Sequence, residues 1–214
     1  MGEASLIQDD IIEIAAHIIT YGSAADADLT VQIRNEIGAM WNEPEAYVRF
    51  EGREYRPRFV ITAEWRPDIS ELEVLTNTDP RNNYFRIEEY VDGNISFVDG
   101  LGCNTGFFKR DNLLPGWTTA AHEFGHTLGL DHPHDLDLRG KGRPGIMYPR
   151  GTLVDPEYQY DPTKPAGLTG GTMHPMHRRV LPGDIAALDL HRLRWRAGRA
   201  IVGDFSNIFH WPHQ

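Results

Sequence analysis

The residues with the clearest chemical consequence lie in one short stretch, His122-Glu123-Phe124-Gly125-His126-Thr127-Leu128-Gly129-Leu130-Asp131-His132. Two histidines four apart on a helix stand about one turn apart on nearly the same face, so both imidazoles can aim at one point. Zinc takes nitrogen ligands at about 2.0–2.1 Å in a tetrahedral arrangement, and a site that does chemistry keeps one position for water. Glu123 lies one residue beyond His122, about 100° further round the helix. It is turned too far to share the ligand role and is placed to reach a water beside the metal, where a general base is needed. The third ligand requires a change of direction, because on an uninterrupted helix His132 would point away. Gly129 supplies that change: glycine readily takes the left-handed conformation that ends a helix and turns the chain back. The full spacing fixes five positions and is far more specific than its two-histidine half.

These residues need a scaffold. Residues 118–128 read as the helix that carries them. The isoleucine-rich run 11–20 reads as a buried strand, with a helix as the alternative for so short an apolar segment. Leu29, Ile33, Ile37, Met40 and Trp41 recur at helical spacing, which predicts an amphipathic helix over about 29–42. Residues 47–50 and 58–65 read as strands, with Glu51-Gly52-Arg53 suited to a turn. Residues 84–91 and 94–98 read as two more, joined at Asp92-Gly93, after a loop over 77–83. Gly100, Gly102 and Gly106 mark a tightly turning passage. From Asp131 to about Arg179 the chain is dense in Gly, Pro, His and Asp without periodicity, and unstructured stretches of that length are usually functional or disordered. A last helix is expected from Asp184 as its N-cap, carrying Leu188, Leu190 and Leu193. The aromatic tail 205–214 is expected to pack on the body. This order predicts an α+β fold: a twisted mixed β-sheet with an active-site helix and a smaller irregular C-terminal lobe. The expected organisation is one domain over 1–214, with lobes at 1–129 and 130–214.

The chain has 214 residues, 40% of them hydrophobic, enough for a sizeable core, and a formal net charge of -10 from 31 acids and 21 bases. An acidic balance argues against a nucleic-acid or membrane-surface partner. Cys103 is the single cysteine, so no internal disulfide can form. No run approaches the roughly 20 apolar residues of a membrane span. Residues 11–19 are interrupted by Glu13 and His17 and preceded by Asp9 and Asp10, which does not read as a signal peptide. The expectation for location is therefore secretion, or delivery as part of a larger protein.

With the complete motif at His122, Glu123, His126, Gly129 and His132, the sequence resembles the metzincin clan of zinc peptidases, in particular its matrixin-like branch. Gly145-Ile146-Met147-Tyr148-Pro149 is similar to the clan's Met-turn, which implies that Met147 supports the ligands from beneath without binding zinc. Asp184-Ile185-Ala186-Ala187-Leu188 resembles the start of the family's closing helix. The resemblance implies one catalytic Zn2+, a protein or peptide substrate, and Tyr148 and Pro149 as candidates for the substrate pocket. It also raises a structural Ca2+ on loop acids such as Asp92, Asp99, Asp135 and Asp137, although no EF-hand-like spacing is present. Two departures stand out: Arg150, Gly151 and Thr152 follow Pro149 where a matrixin usually has a Pro-x-Tyr, and no cysteine-switch propeptide is recognisable. Residues 77–83, 99–106 and 150–156 also resemble metallopeptidase domains at the C-terminal ends of bacterial polymorphic toxins such as Rhs-repeat proteins. That likeness implies a delivered toxin or effector with an immunity protein as partner.

Other residues invite weaker readings. His134 rivals His132 as third ligand, but the motif's spacing favours His132. His174 and His177 could form a second metal pair, though loop histidines are more often simply exposed. Cys103 reads as a structural thiol. A zinc-stabilised binding module without turnover is the alternative function, and a hydrolase acting on a non-peptide amide is the third.

Overall fold

A computed structural model describes residues 1–7 and 10–212 of the chain. The sheet is built round β2 (Ile11–Tyr21), whose β-branched residues favour an extended chain. Ile12, Ile14, Ala16 and Ile18 point to one face and are buried, whereas Glu13 and His17 point to the other. The two polar residues therefore do not interrupt the strand, because they share its opposite face. Strand β4 (Arg53–Trp65) runs parallel to β2 and alternates in the same way, with Tyr55 and Phe59 inward and Val60, Thr62 and Glu64 outward. It is joined to β3 (Val48–Phe50) by the expected turn at Glu51-Gly52.

On the other side of β2 the edge is shared. β1 (Gly2–Ile7) pairs antiparallel with residues 11–15, and β5 (Asn82–Glu88) pairs parallel with residues 17–21. β7 (Thr105–Lys109) adds parallel to β5, and the short β6 (Phe97–Val98) closes the row antiparallel to β7. The main order is β3-β4-β2-β5-β7-β6, with β8 (Arg199–Val202) pairing β1 off this path. The fold is thus α+β with a mixed sheet, as the order of elements indicated.

Helix α1 (Ala27–Asn42) is capped by Asp26, whose carboxylate accepts the Leu29 N–H at 2.8 Å. Its apolar stripe lies on the inward face, where Trp41 packs against Phe59 and Phe124 with ring centroids 5.2 and 5.9 Å away. Trp41 Nε1 also donates to Ala121 O at 3.1 Å, tying α1 to α3 (Thr119–Thr127). On the opposite face Ile19, Tyr21, Ile69, Val74 and Tyr84 form a second cluster beside α2 (Glu71–Leu75) and the tail residue Phe209.

Several sequence expectations are corrected. Residues 94–98 do not form a strand throughout: 92–94 make a 3-10 turn and only Phe97–Val98 is extended, paired to β7 rather than β5. The glycine-rich passage contains β7, and Gly106 is needed there because a Cβ would lie 2.5 Å from Phe97 O. The last helix, α4, is only Pro182–Ala187, with Leu181 as N-cap and Asp184 inside its first turn. Leu188, Leu190 and Leu193 follow α4 rather than ride on it. The long irregular stretch does lack strands and α-helices; it is held by a small core of Leu138, Val154 and Met173 with Tyr148 and Tyr158 against it.

Candidate metal centre

All nine residues of α3 are buried, so its polar side chains are positioned by packing on every side. Its N-terminus is met by Glu36 of α1, whose carboxylate accepts the Ala121 N–H at 2.9 Å. A carboxylate at this end compensates the unpaired N–H groups and the positive end of the helix dipole. Burial pushes the Glu36 carboxyl up to about 7, opposed by that N–H and by Arg178. The C-terminus closes as the sequence requires. Gly129 has φ +94°, its N–H bonds to His126 O at 3.0 Å, and the Leu130 N–H bonds to Gly125 O at 3.1 Å. This paired 6→1 and 5→2 pattern ends the helix and reverses the chain within two residues.

The reversal brings His132 back over α3. His132 Nε2 lies 3.1 Å from His122 Nε2 and 3.1 Å from His126 Nε2. Ligands about 2.0–2.1 Å from a tetrahedral zinc would be separated by about 3.3–3.4 Å, so both separations are close to an edge of such a site. Two of the rings are held from behind. His122 Nδ1 meets Ile146 O at 2.7 Å and His126 Nδ1 meets Leu130 O at 2.7 Å. A carbonyl can only accept, so each Nδ1 carries the proton and each Nε2 keeps its lone pair for a metal. Burial lowers the pKa of all three histidines, with the positive charge of Arg178 adding to it, and this keeps them neutral as ligands must be. Among the described residues they are the one group of three or more such side chains that could hold a metal ion.

Met147 sits under the helix. A Cβ on Gly125 would lie 2.3 Å from Met147 Sδ and 3.2 Å from Trp41, so the glycine inside the motif is what lets this methionine approach. The turn carrying Met147 is tied to α4 by Asp184, whose Oδ2 accepts the Leu181 N–H at 2.7 Å and lies 3.4 Å from Ile146 N. Since Ile146 O orients His122, the closing helix, the turn and the first histidine form one continuous chain of contacts.

Glu123 is 6% exposed and makes no hydrogen bond among the described residues. Burial pushes its carboxyl up to about 8, opposed by Arg178 and Arg150. It lines a cavity of about 460 Å3 together with the three histidines. Residues 95–98 of the β6 segment form one side of this cavity, and Pro149, Arg150 and Arg178 another. Pro149, a pocket candidate from the sequence, is among the residues lining this cavity. The Tyr148 side chain packs against the Leu138–Val154–Met173 core instead and offers the site its carbonyl.

Sequence reasoning missed Arg178 and Arg150. Arg178 is 3% exposed; its Nε donates to Thr118 Oγ1 at 2.9 Å and its Nη1 to Tyr148 O at 3.2 Å. Arg150 donates to Asn112 Oδ1 at 2.9 Å and lies over the Trp117 ring at 5.2 Å. Arg178 belongs to no motif, Arg150 drew notice only as a departure after Pro149 and within the 150–156 run, and their partners lie far away in the chain. The other candidates lie elsewhere. His134 is exposed, and His174 packs against Trp117 and Tyr160 with its ring 6.0 Å from His177. Asp135 pairs with Lys141, Asp137 with Arg139, and Asp99 with His210, while the Asp92 side chain lies outside the described residues. Cys103 is partly buried.

Over 141 residues the chain is 33% identical to serralysin G of Dickeya chrysanthemi. The similar stretch covers 61% of this chain and 28% of that protein's own length. No family model matches the chain.

Proposed function

We propose that the chain is a zinc-dependent endopeptidase. The observation that carries this reading is the convergence of three imidazole nitrogens, with His132 Nε2 3.1 Å from each of the other two, beside a buried carboxyl that has no hydrogen-bond partner among the described residues. The 33% identity to serralysin G over 141 residues supports it.

Zinc bound by His122, His126 and His132 would polarise a carbonyl and lower the pKa of water. The protein's own residues supply the rest. Glu123 takes a proton from the attacking water and delivers it to the leaving amine nitrogen. Its burial beside the three histidines places it to do so without competing for the ligand positions. The β6 segment ends the sheet on the cavity side, and an extended peptide can add to such an open edge through main-chain hydrogen bonds. Delivery within a larger bacterial toxin remains part of the proposal, carried by the runs at 77–83, 99–106 and 150–156.

The decisive experiment compares zinc content and cleavage of unfolded casein by this chain and by its Glu123→Ala variant. One zinc in each, with cleavage by the parent alone, is the expected result. Zinc in both with cleavage by neither would favour the binding-module reading, and no zinc in either would sink the site.

A further inference from the structure

We propose that the cavity beside Glu123 selects a substrate carboxylate next to the scissile bond, held by Arg178 with Arg150 at its side. The inference rests on the peptidase reading and names the substrate class within it.

The argument begins with two buried arginines. Arg86 and Arg178 are 8% and 3% exposed. A buried guanidinium is costly unless an anion offsets its lost hydration. Arg86 has one, with Glu88 Oε1 at 2.5 Å. Arg178 has none in contact among the described residues. Its Nε and Nη1 are anchored on a hydroxyl and a carbonyl, both neutral, and it feels Glu123 and Glu36 only through space. These two anchors fix the plane of the guanidinium without neutralising it, and they leave Nη2 without an acceptor among the described residues. Arg178 lines the cavity. Its neighbour on the same wall, Arg150, is likewise held by neutral partners, Asn112 and the Trp117 ring.

The wall thus offers a rigid guanidinium and a second cation to one incoming ligand. A carboxylate fits both, since it accepts two or more hydrogen bonds and carries the charge Arg178 lacks. The cavity's own acids do not fill this role: Glu123 is beyond ion-pair distance, and Asp131 stands beside His132, with its Oδ1 accepting the His132 N–H.

The carboxylate could belong to an Asp or Glu side chain or to a free C-terminus. The test is cleavage of a mixed peptide library by the zinc-loaded chain, read by mass spectrometry, with free and amidated C-termini in separate reactions. The expected result is enrichment of acid over its amide, roughly tenfold or more, at one position flanking the cut. Enrichment of Asp and Glu at internal cuts identifies the side chain, and cuts confined to the last bond and lost on amidation identify the C-terminus. Arg178→Gln should erase the preference while neutral peptides are still cut, and Arg178→Lys should keep part of it. If Arg178→Gln does not fold, judged by zinc content, Arg150→Gln should weaken the preference instead. Cuts without acidic preference overturn the inference alone. An equal loss on all peptides in Arg178→Gln also overturns it, because Arg178 would then serve the reaction rather than selection. No cuts by the parent chain overturn the peptidase reading and this inference together.

Discussion

Two clusters of buried polar groups invite comparison. In the first, the C-terminal tail lies across β5 and β7. Arg86 pairs with Glu88 and donates to His210 O at 3.0 Å, Glu88 also accepts from Ser23, and Asp99 meets both Thr105 and His210. Asn104 accepts the N–H groups of Ser206 and Asn207 at 2.9 and 3.0 Å and donates to Asn207 Oδ1. Among the described residues Arg86 Nε is the one buried atom here without a partner. In the second cluster, round α3, the polar groups are held from behind and stop short of one another at the front. The three histidines, Glu123 and Arg178 all line the cavity. Buried polar groups of the same types thus make a closed network in one place and an open one in the other. Closure stabilises the fold, whereas openness leaves desolvated groups ready for a ligand.

The largest effect should come from the open cluster and should be chemical. Glu123→Gln should lower casein cleavage by roughly 10²–10⁴-fold, the usual worth of a positioned base. Its zinc content and melting temperature should stay close to those of the parent. A variant that melted well below the parent would show that Glu123 belongs to a structural network after all, and the contrast would fail.

The matching change in the closed cluster should do the reverse. Glu88→Ala strands Arg86 as a buried unpaired charge, which costs about 3–5 kcal/mol when the pair is truly buried. Urea unfolding should show that loss, with kcat/KM unchanged for the fraction that remains folded. Arg178→Met supplies the control. Removing a guanidinium that has no carboxylate in contact strands no charge and should cost only its hydrogen bonds to Thr118 and Tyr148, about 1–2 kcal/mol, so two arginines of similar burial should give different answers.

A smaller loss is expected at the back of the open cluster, where packing is as tight as in any core. Gly125→Ala places a Cβ on Met147 Sδ and Trp41, and overpacking of this kind costs about 1–3 kcal/mol. Thermal melts of the zinc-loaded and chelated forms should both fall. A variant as stable as its parent would mean that the floor under the histidines yields freely.

The two clusters also differ in how far the sequence announces them. Helix α1 and strand β2 are legible because their apolar spacing matches one buried face. The triad is legible because all three histidines fall within eleven residues, where helix geometry and one glycine convert spacing directly into position. The rest of the site is assembled by tertiary contacts. Arg178 meets Thr118 and Tyr148, which lie 60 and 30 residues away, and no periodicity encodes such a meeting. β7 was hidden by Gly106, which reads as a turn but serves a close approach to Phe97. In α4 the true signal was Pro182 in the first turn, with Asp184 reaching back to the Leu181 N–H in place of capping by itself. The closed tail network left no sequence signal beyond its aromatic residues, because Asn, Ser and His pairings carry no spacing rule.

The smallest effect gives the finest distinction, because it concerns the sign of a pH dependence. Burial alone would raise the Glu88 carboxyl, but Ser23 and Arg86 together outweigh it and hold the pKa below the usual value. A depressed carboxylate contributes stability that is present above the unfolded value of about 4.5 and is lost as pH falls through the folded one. Glu36, at the α3 end of the open cluster, is raised to about 7, chiefly by burial. Its ionisation is easier in the unfolded chain, so its contribution is most favourable below about 4.5 and declines as pH rises towards 7. Melting temperatures of Glu88→Gln and Glu36→Gln against the parent between about pH 3 and 8 should therefore diverge. The deficit of Glu88→Gln should be full at neutral pH and shrink on acidification, whereas Glu36→Gln should gain on the parent as pH rises from 4.5 to 7. Parallel curves for the two variants would show that the α3 carboxyl is as well partnered as Glu88, and that the cluster is not open at its helical end.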